Sequence, residues 1–220
     1  MVSARAAILA RIRSALAQPL PLPEKPAFDG PVHPPLPTED LAIVFAANFQ
    51  RIGGEFYYCE DLTHFAAQLA VFRTQQPALA SPYVWEPALQ QLLTKAGVSF
   101  RYGEDDFRKN ADLSLTSCEA LVARTGSVLV SAATASGRRL SIYPDQHLVL
   151  AHTAQIVAEI GNALRLMQAK YSPAGLPSMI SLTTGPSRTA DIEKTLVLGA
   201  HGPRRLVLFL LDDEPAADPA

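Results

Sequence analysis

Apolar residues in this chain keep changing rhythm between the 3.6-residue period of a helix and the short unbroken runs of a buried strand. Leu41, Phe45, Phe49 and Ile52 fit one helical face, with Thr38 as the expected cap and Gly53-Gly54 as the stop. Residues 55–59 then read as a strand, 62–72 as a helix, 83–85 as a short strand and 87–96 as a helix. Gly97 closes that helix and leads to a strand at 98–100. The middle of the chain predicts two strands, 120–124 and 127–131, around the tight turn Thr125-Gly126. A small-residue stretch follows, and then Gly137-Arg138-Arg139. Residues 148–151 form a further strand, and Ile156, Ile160, Ala163, Leu164 and Met167 mark a long helix. Near the C-terminal end, residues 179–182 read as a strand and 206–211 as another. Ile192, Leu196 and Gly199 at helical spacing between them complete an expected βαβ unit. Strands alternating with helices in this way predict an open α/β sheet.

Ahead of this pattern, Ile8, Leu9, Ile12 and Leu16 define one face of an amphipathic helix. Arg11 and Arg13 interrupt the apolar stretch, so it does not read as a signal peptide. A proline-dense segment separates that helix from the body and favours extended chain. The expected division is a helix and Pro-rich arm over residues 1–37, an α/β domain over 38–212, and a flexible tail over 213–220. Arms of this kind serve dimer contacts, which makes a homodimer one expectation.

Composition narrows the function classes. The 220 residues are 48% hydrophobic and 18% charged, an ordinary globular balance, with a net charge of −2. That charge leaves no basic stripe for nucleic acid. No run approaches the length of a membrane span, and a cytoplasmic location is expected. The five histidines form no closely spaced pair, so no metal site is expected. Cys59 and Cys118, the two cysteines, cannot supply the four ligands an iron–sulfur cluster ordinarily takes. No cofactor is therefore expected in this chain.

The turn after residue 182 carries the densest chemistry. Gly185 permits backbone conformations closed to other residues, and Pro186 fixes φ behind it. Ser187 reads as a helix N-cap, and Asp191 and Glu193 suit the positive end of a helix dipole. Arg188 and Thr189 do not fit capping alone, because a cation opposes that dipole. Two readings stay open: a capped helix with Arg188 in a salt bridge, or a turn that shares a bound anion between Arg188 and backbone N–H groups.

Thr125-Gly126-Ser127, Gly137-Arg138 with Leu140-Ser141, Pro144, His147 and the string from Thr184 to Glu193 with Leu196 to Pro203 together resemble the LUD-domain family, in its lactate utilization protein C branch. The resemblance is close from about Thr125 to Leu211. It implies a layered α/β/α sheet domain similar to the NagB/RpiA/CoA-transferase-like fold. It also implies a subunit or accessory role in oxidising L-lactate to pyruvate, beside partner proteins that carry the iron–sulfur clusters. One departure is Arg124, where that family usually has an acid before the Thr-Gly pair.

The candidate ligand-binding residues are Thr125, Gly126, Arg138, Gly185, Ser187, Arg188, Thr189, Asp191 and Glu193, with a small anion as the expected ligand. Arg138 has the fork geometry for a carboxylate or phosphate. His147, at a strand entrance, is a general acid–base candidate or, more simply, a hydrogen-bonded structural histidine. His201 reads as a helix end. Asp191 and Glu193 stand two apart and cannot form a shared dyad on a helix. Ser187 lacks a nucleophile elbow, so no catalytic residue is assigned. Two other functions stay open: an enzyme acting alone on a phosphorylated or carboxylated metabolite, and a ligand-sensing scaffold.

Overall fold

The structure, a computed structural model, describes residues 3–17, 33–36, 40–76, 79, 81–136, 138–190 and 195–212. The chain divides into two compact units, residues 1–35 and 36–220. In the first, α1 (Ala4–Leu16) starts at Ser3, whose hydroxyl accepts from the Ala6 N–H. It buries no residue, and Ile8, Leu9, Ile12 and Leu16 are exposed. Most of the proline-dense arm, Thr38 and the tail at 213–220 lie outside the described residues.

The second unit runs through α2 (Leu41–Arg51), β1 (Glu55–Cys59), α3 (Leu62–Thr74), α4 (Pro87–Lys95), α5 (Glu104–Lys109), β2 (Leu113–Thr116), β3 (Ala120–Val122), β4 (Ser127–Ser131), β5 (Gln146–His152), β6 (Ile156–Val157), α6 (Ile160–Tyr171), β7 (Ile180–Thr183), β8 (Arg188–Thr189), β9 (Val197–Leu198) and β10 (Arg205–Leu211). A four-stranded sheet has the order β1-β10-β5-β2, with every neighbour parallel. A second sheet has the order β6-β3-β4-β7, with β3-β4 and β4-β7 antiparallel. This is the mixed α/β class expected from the sequence.

Both faces of the parallel sheet are buried, which is why β10 reads as one unbroken apolar run. Its side chains alternate. Val207, Phe209 and Leu211 join Phe65, Leu69 and Phe72 of α3 and Leu89 and Leu93 of α4. Leu206, Leu208 and Leu210 join Phe45 and Phe49 of α2 and Leu121, Val128 and Val130 of the second sheet. Beyond that sheet, Ala120, Val122 and Leu129 pack on Ala163 and Met167 of α6. The layers therefore run α3/α4, parallel sheet, α2 with the second sheet, then α6.

Several predicted elements differ, and Ile156, expected on the long helix, lies in β6 ahead of it. Around residues 83 and 98–101 the chain is irregular, held by a bridge from Tyr83 to Arg101 and one to Ser114. Strand β2 and helix α5 were not legible in the periodicity, β2 being too short to show one and α5 mostly charged. The βαβ unit expected between residues 179 and 211 is not formed, because β7 belongs to the second sheet and β10 to the first.

Candidate functional site

The β3-β4 hairpin and the end of β7 meet at one end of the second sheet, since Val128 of β4 pairs with Thr183 of β7. The C-terminal end of α2 seals this corner. Gly126, at φ 63°, lies so close to α2 that a Cβ would stand 2.5 Å from the Phe49 nitrogen and 2.6 Å from the Asn48 carbonyl carbon. Asn48 Nδ2 donates to the Ala123 carbonyl at 2.8 Å and fastens the helix to the turn. Gly185, at φ 81°, makes the matching approach, with the Ile52 carbonyl oxygen 2.8 Å from where its Cβ would be. The Ser127 hydroxyl bridges the two turns, donating to Thr125 Oγ1 at 2.7 Å and lying 2.8 Å from Thr184 Oγ1. Arg188 lays its guanidinium over Gly53, with Cζ 3.4 Å from that residue's would-be Cβ. Arg188 is exposed, and among the described residues no carboxylate pairs with it.

Past Arg188 the helix expected from Ile192, Leu196 and Gly199 is absent among the described residues. Arg188 and Thr189 form β8, which pairs antiparallel with β9. Leu196 and Leu198 are exposed, so the helical spacing had no core to face. Ser187 is therefore not an N-cap there: its N–H donates to the Pro203 carbonyl and its hydroxyl accepts from the His201 N–H. His201 ends no helix and is exposed. Asp191 and Glu193 lie outside the described residues. Without a helix start, the anion reading of this turn rests on Arg188. Arg124 is committed elsewhere, its Nε 2.6 Å from the Glu159 carboxylate just before α6.

The other two candidates stand apart from this corner. Arg138 donates to Ser178 Oγ at 2.9 Å, near the opposite end of the β4-β7 pair, where Ser131 faces Ile180. His147 sits inside the parallel sheet, 1% exposed, with Nε2 2.8 Å from Thr116 Oγ1. Thr116 gives its own proton to the Ser117 carbonyl, so Nε2 carries the histidine proton and Nδ1 is left as a buried acceptor with no partner. Burial pushes its pKa down to about 4. That is the structural histidine, neutral at ordinary pH.

Sequence reasoning missed a buried polar cluster near the Ser131 end. Glu86 precedes α4 but makes no side-chain cap. Its carboxylate turns inward to accept from the Ser117 N–H at 3.1 Å, the Ser117 hydroxyl, and the Ser136 hydroxyl at 2.5 Å. Glu119, 4% exposed, accepts from Ser131 Oγ at 2.6 Å, Tyr171 OH at 2.7 Å and Lys170 Nζ at 2.7 Å. Burial alone raises the Glu119 pKa, but these three donors outweigh it and hold the carboxyl below its ordinary value. Buried polar side chains so far apart in sequence leave no local spacing to read. Cys118 lies beside them, its thiol pushed up by burial and by Glu119 and Glu86, which disfavours the thiolate. Cys59 belongs to the opposite face of the parallel sheet. Among the described residues no group of three or more His, Cys, Asp or Glu is placed to hold a metal ion, and no helix is long and apolar enough to cross a membrane.

Residues 104–211 match the family model described as the LUD domain. Over that stretch, just under half of the chain, the sequence is similar to LUD domains. Lactate utilization protein C of Shouchella clausii is 31% identical over 134 residues, covering 59% of this chain and 58% of that protein. Lactate utilization protein C 1 of Bacillus mycoides is 34% identical over 110 residues, covering 49% and 47%. An uncharacterized protein of Neisseria meningitidis serogroup B is 36% identical over 106 residues, covering 48% and 45%. The chain thus spans about half the length of these relatives. The crystal structure of a DUF162 family protein from Deinococcus radiodurans shares the fold, with a TM-score of 0.56 at 20% identity, over 80% of this chain and 99% of that one. Both the glycine corner and most of the buried polar cluster lie within or against that LUD-like stretch; Glu86, Asn48 and Gly53 are supplied from outside its matched range.

Proposed function

We propose that this chain takes part in lactate utilisation as a subunit that binds a small carboxylate at the Arg188 corner and works with partners carrying the redox centres. The likeness to lactate utilization protein C supports the role. The observation that carries the ligand reading is the exposed Arg188 guanidinium, which lies over Gly53 at the end of α2, the helix end against which the Gly126 and Gly185 turns pack. A 2-hydroxy acid offers a carboxylate that matches a guanidinium fork. Oxidising lactate to pyruvate releases two electrons and two protons, which must pass to an acceptor. Cys59 and Cys118, on opposite faces of the sheet, cannot assemble a four-cysteine cluster, so the acceptor belongs to a partner in this reading.

The test is a thermal-shift titration of the whole chain with lactate, pyruvate, acetate and phosphate, repeated with Arg188→Ala. A ligand at a hundred times its Kd should stabilise by about 2.7 kcal/mol. Lactate or pyruvate should raise the midpoint in the parent and not in Arg188→Ala. Equal responses in both proteins, or none in the parent, would sink the ligand reading.

A further inference from the structure

Strand β7 is an outer strand of the second sheet, bonded to β4 alone. The register shows which of its backbone groups are spent. Ala132 N–H donates to the Met179 carbonyl at 3.0 Å, so residues 179, 181 and 183 turn their backbone groups towards β4. Ile180 and Leu182 alternate with them and turn theirs outward, where among the described residues no backbone partner meets them.

Edge strands are ordinarily guarded by a charge, a proline, a very short length or a covering element. The other outer edges of the two four-stranded sheets have such a guard. Strand β1 carries the carboxylate of Glu55, β6 is two residues long, and Tyr83 bridges β2 at Ser114. From Met179 to Thr184 the edge has neither charge nor proline. Ile180 and Leu182 pack against the Leu129 and Met167 cluster, yet stay only half-buried.

The pattern of the edge says what covers it. Set antiparallel to a copy of itself, with Ser181 facing Ser181 of the second copy, β7 brings Ile180 opposite Leu182 and Leu182 opposite Ile180. Those two pairs exchange N–H and C=O bonds, so every outward group inside the strand is met. Apolar side chains meet apolar ones on the α6 face, hydroxyl meets hydroxyl on the other, and no charge is buried. The contact uses one patch on both copies, as a two-fold interface requires.

We infer that β7 is a dimerisation edge, which a second copy of this chain pairs antiparallel about a two-fold axis at Ser181, joining the two second sheets into one. The inference does not depend on the lactate reading.

The test is sedimentation of the whole chain over a concentration series, with amide hydrogen exchange read by NMR on the same samples. A dimer should form, and the Ile180 and Leu182 amides should slow as it does, while those of Ser181 and Thr183 stay slow throughout. A chain that remains monomeric overturns the proposal, and so does a dimer in which Ile180 and Leu182 still exchange freely. Ser181→Lys sets like charges face to face and should shift the chain to monomer; an unchanged dimer would count against this edge. Should Ser181→Lys fail to fold, the nearly isosteric Ser181→Cys keeps the test decisive. Opposed residues of a non-hydrogen-bonded pair lie about 4.5 Å apart at Cα, within disulfide reach. Mild oxidation should therefore cross-link Ser181→Cys into a covalent dimer but not Thr183→Cys, which faces Met179 of the second copy. Cross-linking of both alike, or of neither, would refute the pairing.

Discussion

Strand β4 begins and ends on a serine, and its two ends solve opposite problems. At Ser127 the neighbourhood is built from backbone: Gly126 and Gly185 press against the end of α2, and a charged side chain, Arg188, is left in solvent. At Ser131 it is built from side chains: two glutamates lie below a tenth of full exposure, each wrapped in donors. The first end needs shape and leaves a charge free for solution. The second needs polar saturation and buries charge. Substitutions should therefore fail differently at the two ends, through steric clash at one and through loss of partners at the other.

The largest effect should come from Gly126→Ala. The new methyl meets α2 backbone, which cannot give way, and φ is positive, so about 3 kcal/mol or more of stability should be lost. Chemical denaturation measures it; a change under about 1 kcal/mol would mean that the corner is not packed as described. Acid should act next, through the polar end. His147 has a folded pKa of about 4 against an ordinary 6.5, so the unfolded chain binds its proton first. Its contribution is fully present above 6.5 and is lost as pH falls from 6.5 towards 4, on the order of 3 kcal/mol in all. The urea midpoint followed against pH should slope across that window in the parent and flatten there in His147→Leu. Glu119, with a lowered pKa, adds a second loss at lower pH, below the ordinary carboxylate value.

Asn48→Ala removes the bond from α2 to the Ala123 carbonyl and should cost about 1 kcal/mol. Unlike the histidine change, its cost should be the same at pH 5 and pH 7 by the same denaturation assay. Arg188→Ala should be the mildest, within about 0.5 kcal/mol of the parent, because its guanidinium makes no ion pair among the described residues. A loss of 2 kcal/mol or more there would recast Arg188 as part of the packing.

How much of this the sequence could show depended on distance along the chain. Strand β10 was legible because both its faces are buried, and the β3-β4 hairpin because Thr125-Gly126 announces a turn. Gly185 does sit in a turn, but Leu196 and Gly199 misled, since apolar spacing cannot tell a helix facing a core from a short exposed hairpin. Arg138 looked like a partner for Arg188, yet β4 carries the two to opposite ends of the sheet. The Glu86 and Glu119 cluster was invisible, because Glu86 meets Ser136 across fifty residues and only the fold brings them together.

The position of β10 has a consequence for how this protein comes into being. Its residues, 205–211, lie between β1 and β5 and pair with both, so the centre of the sheet is supplied by the last of the described strands. On the ribosome, β1 and β5 emerge earlier with nothing between them, and their facing edges stay open until residue 211 clears the exit tunnel. A nascent chain stalled or cleaved before Arg205 would leave β1 unpaired and one edge of β5 open. Such a fragment is prey for self-association or for quality control, while the completed chain closes the gap in one step.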